Sequence, residues 1–460
     1  MLLPRGAQHM VWSIAGQQGM IEPLYSRVAF FVGDEEAIRS FWGTYGCSGN
    51  VFCLWCKNAV RKHSRLDEFN PYFVRADEHR FELFDPHTDE SIYERCDHLR
   101  ALDGASKARI KREEKYMGIR CDYTKLLYDV PLRAVVRPIA NTMLDFGHVF
   151  MICGIFQFEL VLLLRALKPL GFSQALLNVF VQPWIWPGYE KHPPRKVFSK
   201  KREPGNKTEA YRLGSGEAFA IYAVIRYFLS TAVPAGLLLL EKASWLALAS
   251  VIDGFLALRM GLLDATGVDA WEVAVVNHLK SFKAAYGDHT KPKHHLALHL
   301  AGHLRKYGRL VCTFTMERKH KAFKQHAVNV ENLRVFERSV TEALLLHALV
   351  KHQDGEHLLV GDRIVNQRHA VHHGNPFYVG DIVYFLSGHG EHVGHVERFI
   401  EDHSGVQAGV RVYNHREHEN WTPTGAYCRV PLSQVVSSCV WKHADNGIIV
   451  LLPGEVAWFE

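Results

Sequence analysis

The chain has 460 residues, of which 48% are hydrophobic and 22% charged. This composition excludes wholesale disorder and leaves room for two or three domains. The net charge of +6 permits nucleic-acid binding without requiring it, and nine cysteines without disulfide-type spacing, behind an N-terminus that lacks a signal-peptide pattern, indicate a reducing compartment.

The first predicted elements are a short buried strand over residues 25–33 and a helix that begins after Asp34, in DEEAIRSFW. Asp34 therefore lies where a strand ends and a helix starts, a position at which open α/β sheets present functional groups. Taken alone, such an aspartate is explained better as a helix N-cap. A glycine-rich loop then leads to Cys53 and Cys56 in NVFCLWCKN, a C-x2-C pair that zinc could use. These elements form a first domain over 1–68.

Residues 69–285 show helical periodicity and predict an all-α insertion, with one helix over 132–144. Its longest apolar stretches are interrupted by charged residues, which favours buried helices over membrane spans. Asp145 and His148, in TMLDFGHVFMICG, form a D-x2-H at a predicted helix start. They are either an N-cap with a packed histidine or a pair that supports the metal ligands or contacts DNA.

A basic, proline-rich connector over 187–207 interrupts this insertion. It is either a solvated loop or a segment that contacts phosphate or directs nuclear import. Its candidate DNA-binding residues are Lys196, Lys200, Lys201 and Arg202.

The third segment, 286–355, contains a histidine pair, a glutamate-bearing helix and a closing amphipathic helix. In KPKHHLALHL, His299 and either His294 or His295 fall one turn apart on one helix face. Together with the C-x2-C pair they supply the four N and S ligands of a structural zinc site, which has no open position for water. The alternative is that the thiols are simply buried and the histidines only line a helix.

Glu317, in FTMERKHKAFK, is the candidate catalytic carboxylate. Alone, it is explained better by an ion pair with Lys321 on the same helix. With Asp34 it would provide two of the three carboxylates that hold Mg2+ or Mn2+ in a two-metal nuclease. The neighbouring candidates for binding the DNA backbone are Arg318, Lys319, Lys321 and Lys324.

Beyond Gly374, short alternating strands separated by Gly, Asn and Pro turns predict a small β-barrel of about five strands over 374–460.

Taken in order, GDEEAIRSFWGTYGCSGNVFCLWCKN, TMLDFGHVFMICG, KPKHHLALHL and FTMERKHKAFK resemble the transposases of the CACTA and Plavaka type over residues 25–330. The resemblance implies an RNase H-like core with a DDE triad, and a zinc-bearing helical insertion between the second and third acids. Asp34 matches the second acid and Glu317 the third. The C-x2-C and histidine pairs match the zinc ligands.

The expected fold is therefore α+β and predominantly α: a partial RNase H-like core interrupted by a large all-α insertion, plus a C-terminal small β-barrel. One departure concerns the first acid, because only Glu22 precedes Asp34 and it follows no strand-like run. The N-terminal part of the core is accordingly expected to be missing.

The expected function is that of a transposase-derived nuclear protein, truncated or impaired in DNA cleavage and strand transfer. One alternative is a non-enzymatic DNA- or chromatin-binding zinc protein of the same descent, and another is a zinc-stabilised protein-interaction scaffold. The implied cofactors are structural Zn2+ and, in an active enzyme, Mg2+ or Mn2+. DNA is the implied partner, no membrane is implied, and homo-oligomerisation stays open.

Overall fold

The computed structural model describes residues 10–15, 21–26, 30–61, 64–190, 194–205, 207–259, 265–311, 313, 342, 346, 363–366, 368–372, 375–387, 390–403, 405–416 and 419–452. Its α-helices are α1 (Glu35–Trp42), α2 (Leu66–Phe69), α3 (Asp89–Ala101), α4 (Lys107–Met117), α5 (Ile155–Leu167), α6 (Gln174–Val181), α7 (Ser215–Thr231), α8 (Leu239–Arg259), α9 (Ala265–Tyr286), α10 (Pro292–Ala297) and α11 (Leu300–Tyr307). Its strands are β1 (Met10–Ala15), β2 (Ile21–Ser26), β3 (Phe31–Gly33), β4 (Ala59–Val60), β5 (Val74–Arg75), β6 (Thr142–Leu144), β7 (Arg363–Asn366), β8 (His369–His372), β9 (Asn375–Tyr378), β10 (Ile382–Ser387), β11 (Gly390–Asp402), β12 (Gly405–His415), β13 (Asn420–Pro431), β14 (Val435–Ala444) and β15 (Gly447–Leu451).

The chain divides into two compact units. The first comprises Met1–Ile155 and Val275–Thr313, and the second comprises Phe156–Ala274 and Phe314–Glu460. The fold is mixed α+β and mostly helical, with a C-terminal antiparallel barrel, as the sequence predicts.

The first unit contains a parallel pair of strands, β3 and β6, in which Gly33 lies opposite Leu144. Residues 142–144 are therefore a strand, and the helix predicted over 132–144 is wrong: 131–134 form only a short 3-10 turn. Strands β5 and β6 both lie inside the segment 69–285, which was predicted to be all-α. In the described part of the chain this sheet has two strands only, so an RNase H-like core is not shown.

Helix α1 follows β3 directly, and residues that favour helix ends define both its start and its end. The Asp34 side chain accepts a hydrogen bond from the Ala37 amide at 2.7 Å, and Gly43 ends the helix in the left-handed conformation at φ +74°. The buried Trp42 donates its indole N–H to Thr142 on β6 at 2.8 Å. Helix α1 is thereby attached to the second strand of the pair.

One further observation differs from the sequence expectations, and another agrees with them. Glu22 lies on β2, which pairs antiparallel with β1, so a strand does precede it. One stretch of the described chain, Gly147–Leu170, is long and apolar enough to cross a membrane, with a mean hydropathy of 2.0. However, 78% of that window is buried inside the protein, as expected of a core helix.

In the second unit, a polar network joins the helices α7 and α8. Asp253, which is buried, accepts hydrogen bonds from the Tyr222 hydroxyl at 2.6 Å and from the Arg226 guanidinium at 2.8 Å. Arg226 also donates to the carbonyl of Leu452 at 2.9 Å, next to β15. The pairing of a buried carboxylate with a half-buried cation avoids the cost of leaving the carboxylate charge alone.

The barrel closes in the strand order β10-β11-β12-β13-β15-β14 and so has six strands, where the sequence predicted about five. The run CRVPLSQVV, predicted to be one strand, is divided at Pro431 by a 3-10 turn over Leu432–Gln434. Since proline cannot donate to a strand ladder, the chain turns there and two strands result. Strands β7, β8 and β9 form a separate antiparallel sheet.

Within the second unit, the barrel is joined to the segment after α6. Ile185 and Trp441 exchange backbone hydrogen bonds at 2.7 and 3.0 Å, and the Gly188 amide donates to Asp381 at 2.8 Å. The Lys442 ammonium, on β14, faces three aromatic rings, with its nitrogen 4.9–5.3 Å from the ring centroids of Phe180, Trp184 and Tyr227. These contacts make the barrel part of the second unit.

The positive charge of Lys442 should stabilise the second unit by interacting with the three surrounding aromatic rings. Because desolvated cation–π contacts contribute up to about 2 kcal/mol, we expect Lys442→Met to lower the free energy of unfolding by about 1–2 kcal/mol. Lys442→Arg should lose much less, and Lys207→Met, at an exposed lysine of the same unit, should lose nothing. Chemical denaturation followed by tryptophan fluorescence measures all three, and equal stability of Lys442→Met and Lys442→Arg would contradict the expectation.

Candidate metal centre and neighbouring carboxylates

The C-x2-C pair forms a tight turn whose two sulfurs face the same point. The Trp55 amide donates a hydrogen bond to Cys53 Sγ at 3.3 Å, which orients that sulfur, and Cys56 is held by a bridge to Pro86. Both cysteines are buried.

The histidine pair reaches this turn from the end of the first unit. His299 Nε2 lies 3.3 Å from Cys53 Sγ, 3.5 Å from Cys56 Sγ and 3.3 Å from His295 Nε2. All four donor atoms lie within 4.8 Å of one another. Around a tetrahedral zinc, bonds of 2.0–2.3 Å place neighbouring ligand atoms about 3.3–3.8 Å apart, so the donor set and its spacing fit zinc. With four protein ligands the ion would have a structural role.

The surroundings of the four donors are buried and aromatic. The His295 ring packs against Phe84 at a centroid distance of 4.3 Å, and the His299 ring against Phe81 and Trp55 at 5.3 and 5.5 Å. Burial lowers the pKa of His295 to about 3, so its imidazole is neutral and can donate a lone pair to a metal.

The two thiols are affected differently. Burial opposes ionisation of Cys53, but hydrogen bonds from Cys56 and His299 outweigh it and lower the pKa of Cys53 to about 5. Burial, followed by the neighbouring Cys53, raises the pKa of Cys56. A bound dication would favour the thiolate form of both.

The structure distinguishes the two candidate histidines at the start of α10. His295 belongs to the donor group, whereas the His294 ring stacks beside Phe282 at 4.3 Å and its Nδ1 accepts from the Lys291 amide at 2.9 Å. The four residues that the structure brings together and that could hold a metal ion are therefore Cys53, Cys56, His295 and His299.

A small cleft lies next to this centre, at the carboxyl ends of β3 and β6. Its lining includes Asp34 and Asp145, which follow the two strands at matching positions, together with His148 and Lys293. Carboxylates at adjacent ends of parallel strands are the arrangement in which open α/β sheets present functional groups.

Asp145 is almost fully buried and its carboxylate is engaged by several donors. Oδ1 accepts from the Gly147 amide at 2.8 Å, and Oδ2 is 2.6 Å from His148 Nδ1 and accepts from the Thr313 amide and hydroxyl. Burial would raise the pKa of Asp145, but hydrogen bonds from His148 and Thr313 outweigh it and hold the pKa below its usual value. His148 lies in a π-helical turn, Gly147–Met151, a feature often found at functional sites.

Lys293 is the cation of the cleft, two residues before His295. Its ammonium donates to the carbonyls of His148 at 2.7 Å and Cys153 at 2.8 Å. Burial lowers the pKa of Lys293, an effect opposed by nearby negative groups that include Asp34. Cys153 has a left-handed backbone at φ +45°, which is unusual outside glycine and which places its carbonyl on the lysine.

Three residues of this region were not singled out from the sequence: Lys293, Thr313 and His303. Lys293 and Thr313 belong to no motif or regular spacing that would have marked them in the sequence. His303 repeats the H-x3-H spacing after His299, and its Nδ1 accepts from the Leu144 amide of β6 at 3.1 Å. That contact connects α11 to the strand that ends before Asp145.

None of the remaining predicted site residues is seen at the cleft in the part of the chain that the structure describes. Glu317 lies outside the described part of the chain, as do Arg318, Lys319, Lys321 and Lys324. In the connector, Lys196, Lys200 and Lys201 are exposed, whereas Arg202 pairs with Glu217 at 2.8 Å. Among the described residues, the Cys2His2 group is the only cluster with the geometry of a metal site.

A comparison of the sequence with protein-family models and with curated proteins finds no match.

The zinc assignment predicts a difference between adjacent histidines. His295→Asn should abolish stoichiometric zinc in the purified protein, whereas His294→Asn should retain it, because only the His295 ring faces the two sulfurs. Metal analysis of the two variants by mass spectrometry is the measurement. Since structural zinc contributes on the order of 10–16 kcal/mol, chelation should also unfold the first unit. Zinc retained in His295→Asn would contradict the assigned ligand set.

His303 should make the first unit sensitive to acid. Burial lowers its folded-state pKa to about 3 from an ordinary value of 6.5, so its neutral form is favoured. The resulting stability is complete above pH 6.5 and is lost as the pH falls towards 3, by about 2 kcal/mol at pH 5. In urea unfolding at pH 7.5 and 5, His303→Gln should lose about 2 kcal/mol less than the wild type. The same substitution at the exposed His98 should leave the pH dependence unchanged.

Proposed function

We propose that this chain is a transposase-derived, zinc-braced nuclear protein that binds DNA and is impaired in DNA cleavage. The observation that carries the proposal is the convergence of Cys53 and Cys56 with His295 and His299 beside a parallel strand that ends immediately before Asp34. The CACTA and Plavaka resemblance implies this combination of ligand types, chain order and adjacent acid. Each element alone is common, but their joint occurrence is far more specific.

Impaired cleavage is supported by the state of the two carboxylates. The Asp34 side chain caps α1, and both oxygens of Asp145 accept hydrogen bonds from the protein. Two-metal phosphoryl transfer needs carboxylates that are available to hold two divalent ions about 3.5–4 Å apart. Mg2+ or Mn2+ would have to displace these hydrogen bonds, with Glu317 as the further acid implied by the resemblance. A non-enzymatic DNA- or chromatin-binding protein of the same descent is favoured by this arrangement.

DNA binding is supported by the exposed lysines of the connector. Lys196, Lys200 and Lys201 present three cations without a carboxylate partner among the described residues, and they follow one another closely in the chain. Arg202 stabilises the connector through Glu217 instead. Lysines on an exposed loop bind phosphates without regard to sequence, which would give affinity rather than specificity. The same basic segment is compatible with nuclear import.

The proposal predicts DNA binding that depends steeply on salt. Replacing Lys196, Lys200 and Lys201 with Gln should reduce the slope of log K against log salt by about 2–3, since each phosphate contact contributes roughly 0.9. The matched control replaces Lys107, Lys111 and Lys115, three exposed lysines of α4, and should change the slope less. Fluorescence anisotropy with a labelled duplex gives both slopes.

Cleavage is tested on supercoiled plasmid with Mg2+ or Mn2+. We expect no nicking by the wild type above that of Asp34→Asn. Absence of duplex binding by the zinc-loaded protein would favour a protein-interaction scaffold instead, and nicking that requires Asp34 would show that the centre is active.

A further inference from the structure

The outer face of β11, β12 and β13 carries an unusual set of side chains. Cross-strand partners point to the same side of a sheet, so the register defines two rows: Arg398, Gly409 and Arg429, then His395, Arg411 and Tyr427. A third row, Ile400, Gln407 and Pro431, is uncharged. The nine positions include three arginines, one tyrosine and no carboxylate. We call them the arginine–tyrosine face.

Tyr427 lies flat across the middle strand. A Cβ atom at position 409 would come within 1.9 Å of the Tyr427 hydroxyl, so only glycine leaves room for the phenol there. The Arg398 Nε donates to the same hydroxyl at 2.8 Å, and its guanidinium carbon is 5.4 Å from the ring centroid. The ring is fixed against the sheet, yet Tyr427 keeps 41% of its surface exposed.

The charges around this ring are only partly neutralised. Arg411 pairs with Glu397, which lies at the bulge of β11, at 2.6 Å. Arg429 is exposed and has no ion-pair partner among the described residues. The sheet spacing separates Arg398 and Arg429, two strands apart, by roughly 10 Å at the backbone. The face thus offers cations on both sides of an oriented aromatic ring.

We propose that the arginine–tyrosine face binds single-stranded DNA, with a base stacked on the Tyr427 and Arg398 pair and phosphates held by Arg411 and Arg429. Unpaired bases stack on aromatic rings and guanidinium planes, whereas a duplex keeps its base faces covered. An acidic peptide would satisfy the arginines but would leave the ring unused. The choice of DNA over RNA rests on the proposed function, and the binding mode rests on this face alone.

The test uses the full chain and a fluorescein-labelled single-stranded DNA oligonucleotide, read by anisotropy. Tyr427→Phe keeps the ring and should bind within a few-fold of the wild type. Tyr427→Leu still covers Gly409 but cannot stack, and should bind roughly 5- to 150-fold more weakly. Arg429→Gln should reduce the salt slope by about 0.7. Tyr116→Leu, at a tyrosine that is 44% exposed elsewhere, should bind as the wild type does.

Equal affinity of Tyr427→Phe and Tyr427→Leu would overturn the proposal, as would tighter binding of RNA of the same sequence or displacement of the strand by oligoglutamate. Duplex binding, measured with the wild type and with the variant in which Lys196, Lys200 and Lys201 are replaced with Gln, tests the proposed function separately from this face. If duplex binding is absent but the Phe and Leu variants still differ, only the proposed function fails. If duplex binding is intact and the two variants agree, only the arginine–tyrosine face fails.

Discussion

The first unit is built around four buried atoms that could serve as metal ligands, and removing these polar atoms from water is costly. Two sulfurs and two imidazole nitrogens face each other inside an aromatic pocket, where none of them can be satisfied by water. A divalent zinc ion would remove this cost by bonding all four, and it would hold together chain segments that are 246 residues apart between Cys53 and His299. Without such an ion, burial of these groups would oppose folding.

The position of the neighbouring cleft follows from the same centre. Helix α10 carries both the metal-facing His295 and the cleft-facing Lys293, and α11 supports β6 through His303. The carbonyls that Lys293 binds belong to the turn after Asp145. Any movement of the histidine pair would therefore move the surroundings of both aspartates. Through these contacts, a metal ion held by the four residues would influence the neighbouring cleft without touching it.

The sequence predicted the parts of this arrangement that depend on local chemistry. The ligand types and spacing indicated a Cys2His2 group, and the Asp34 run indicated both a strand end and a helix cap. The choice between His294 and His295 could not be made, since adjacent residues differ only by about 100° around the helix and either could face the sulfurs. Only the packing of Phe282 against His294 decides it.

The first error originates in long-range pairing and the second in a local proline. Thr142–Leu144 is a strand because β3 lies beside it, more than a hundred residues earlier in the chain, and a three-residue apolar run carries no periodicity of its own. The barrel has one strand more than the five or so predicted, because the run CRVPLSQVV is divided at Pro431 into two strands. The site at Asp145 was similarly uncertain, since its partner Thr313 is distant in sequence. Glu317 lies outside the described residues, and its role stays a prediction.

The separation in sequence between the two halves of the candidate metal site also has a consequence during synthesis. Ribosomes extend a chain at about 5–20 residues per second, so the thiols of Cys53 and Cys56 emerge about 12 to 50 s before the imidazole of His299. During that interval the nascent N-terminal segment holds an unfinished ligand set and depends on a reducing environment to keep its sulfurs available. The second-unit helices over 156–274 are translated within the same interval and can fold first, so the last event in completing the first unit is the return of the chain to its beginning.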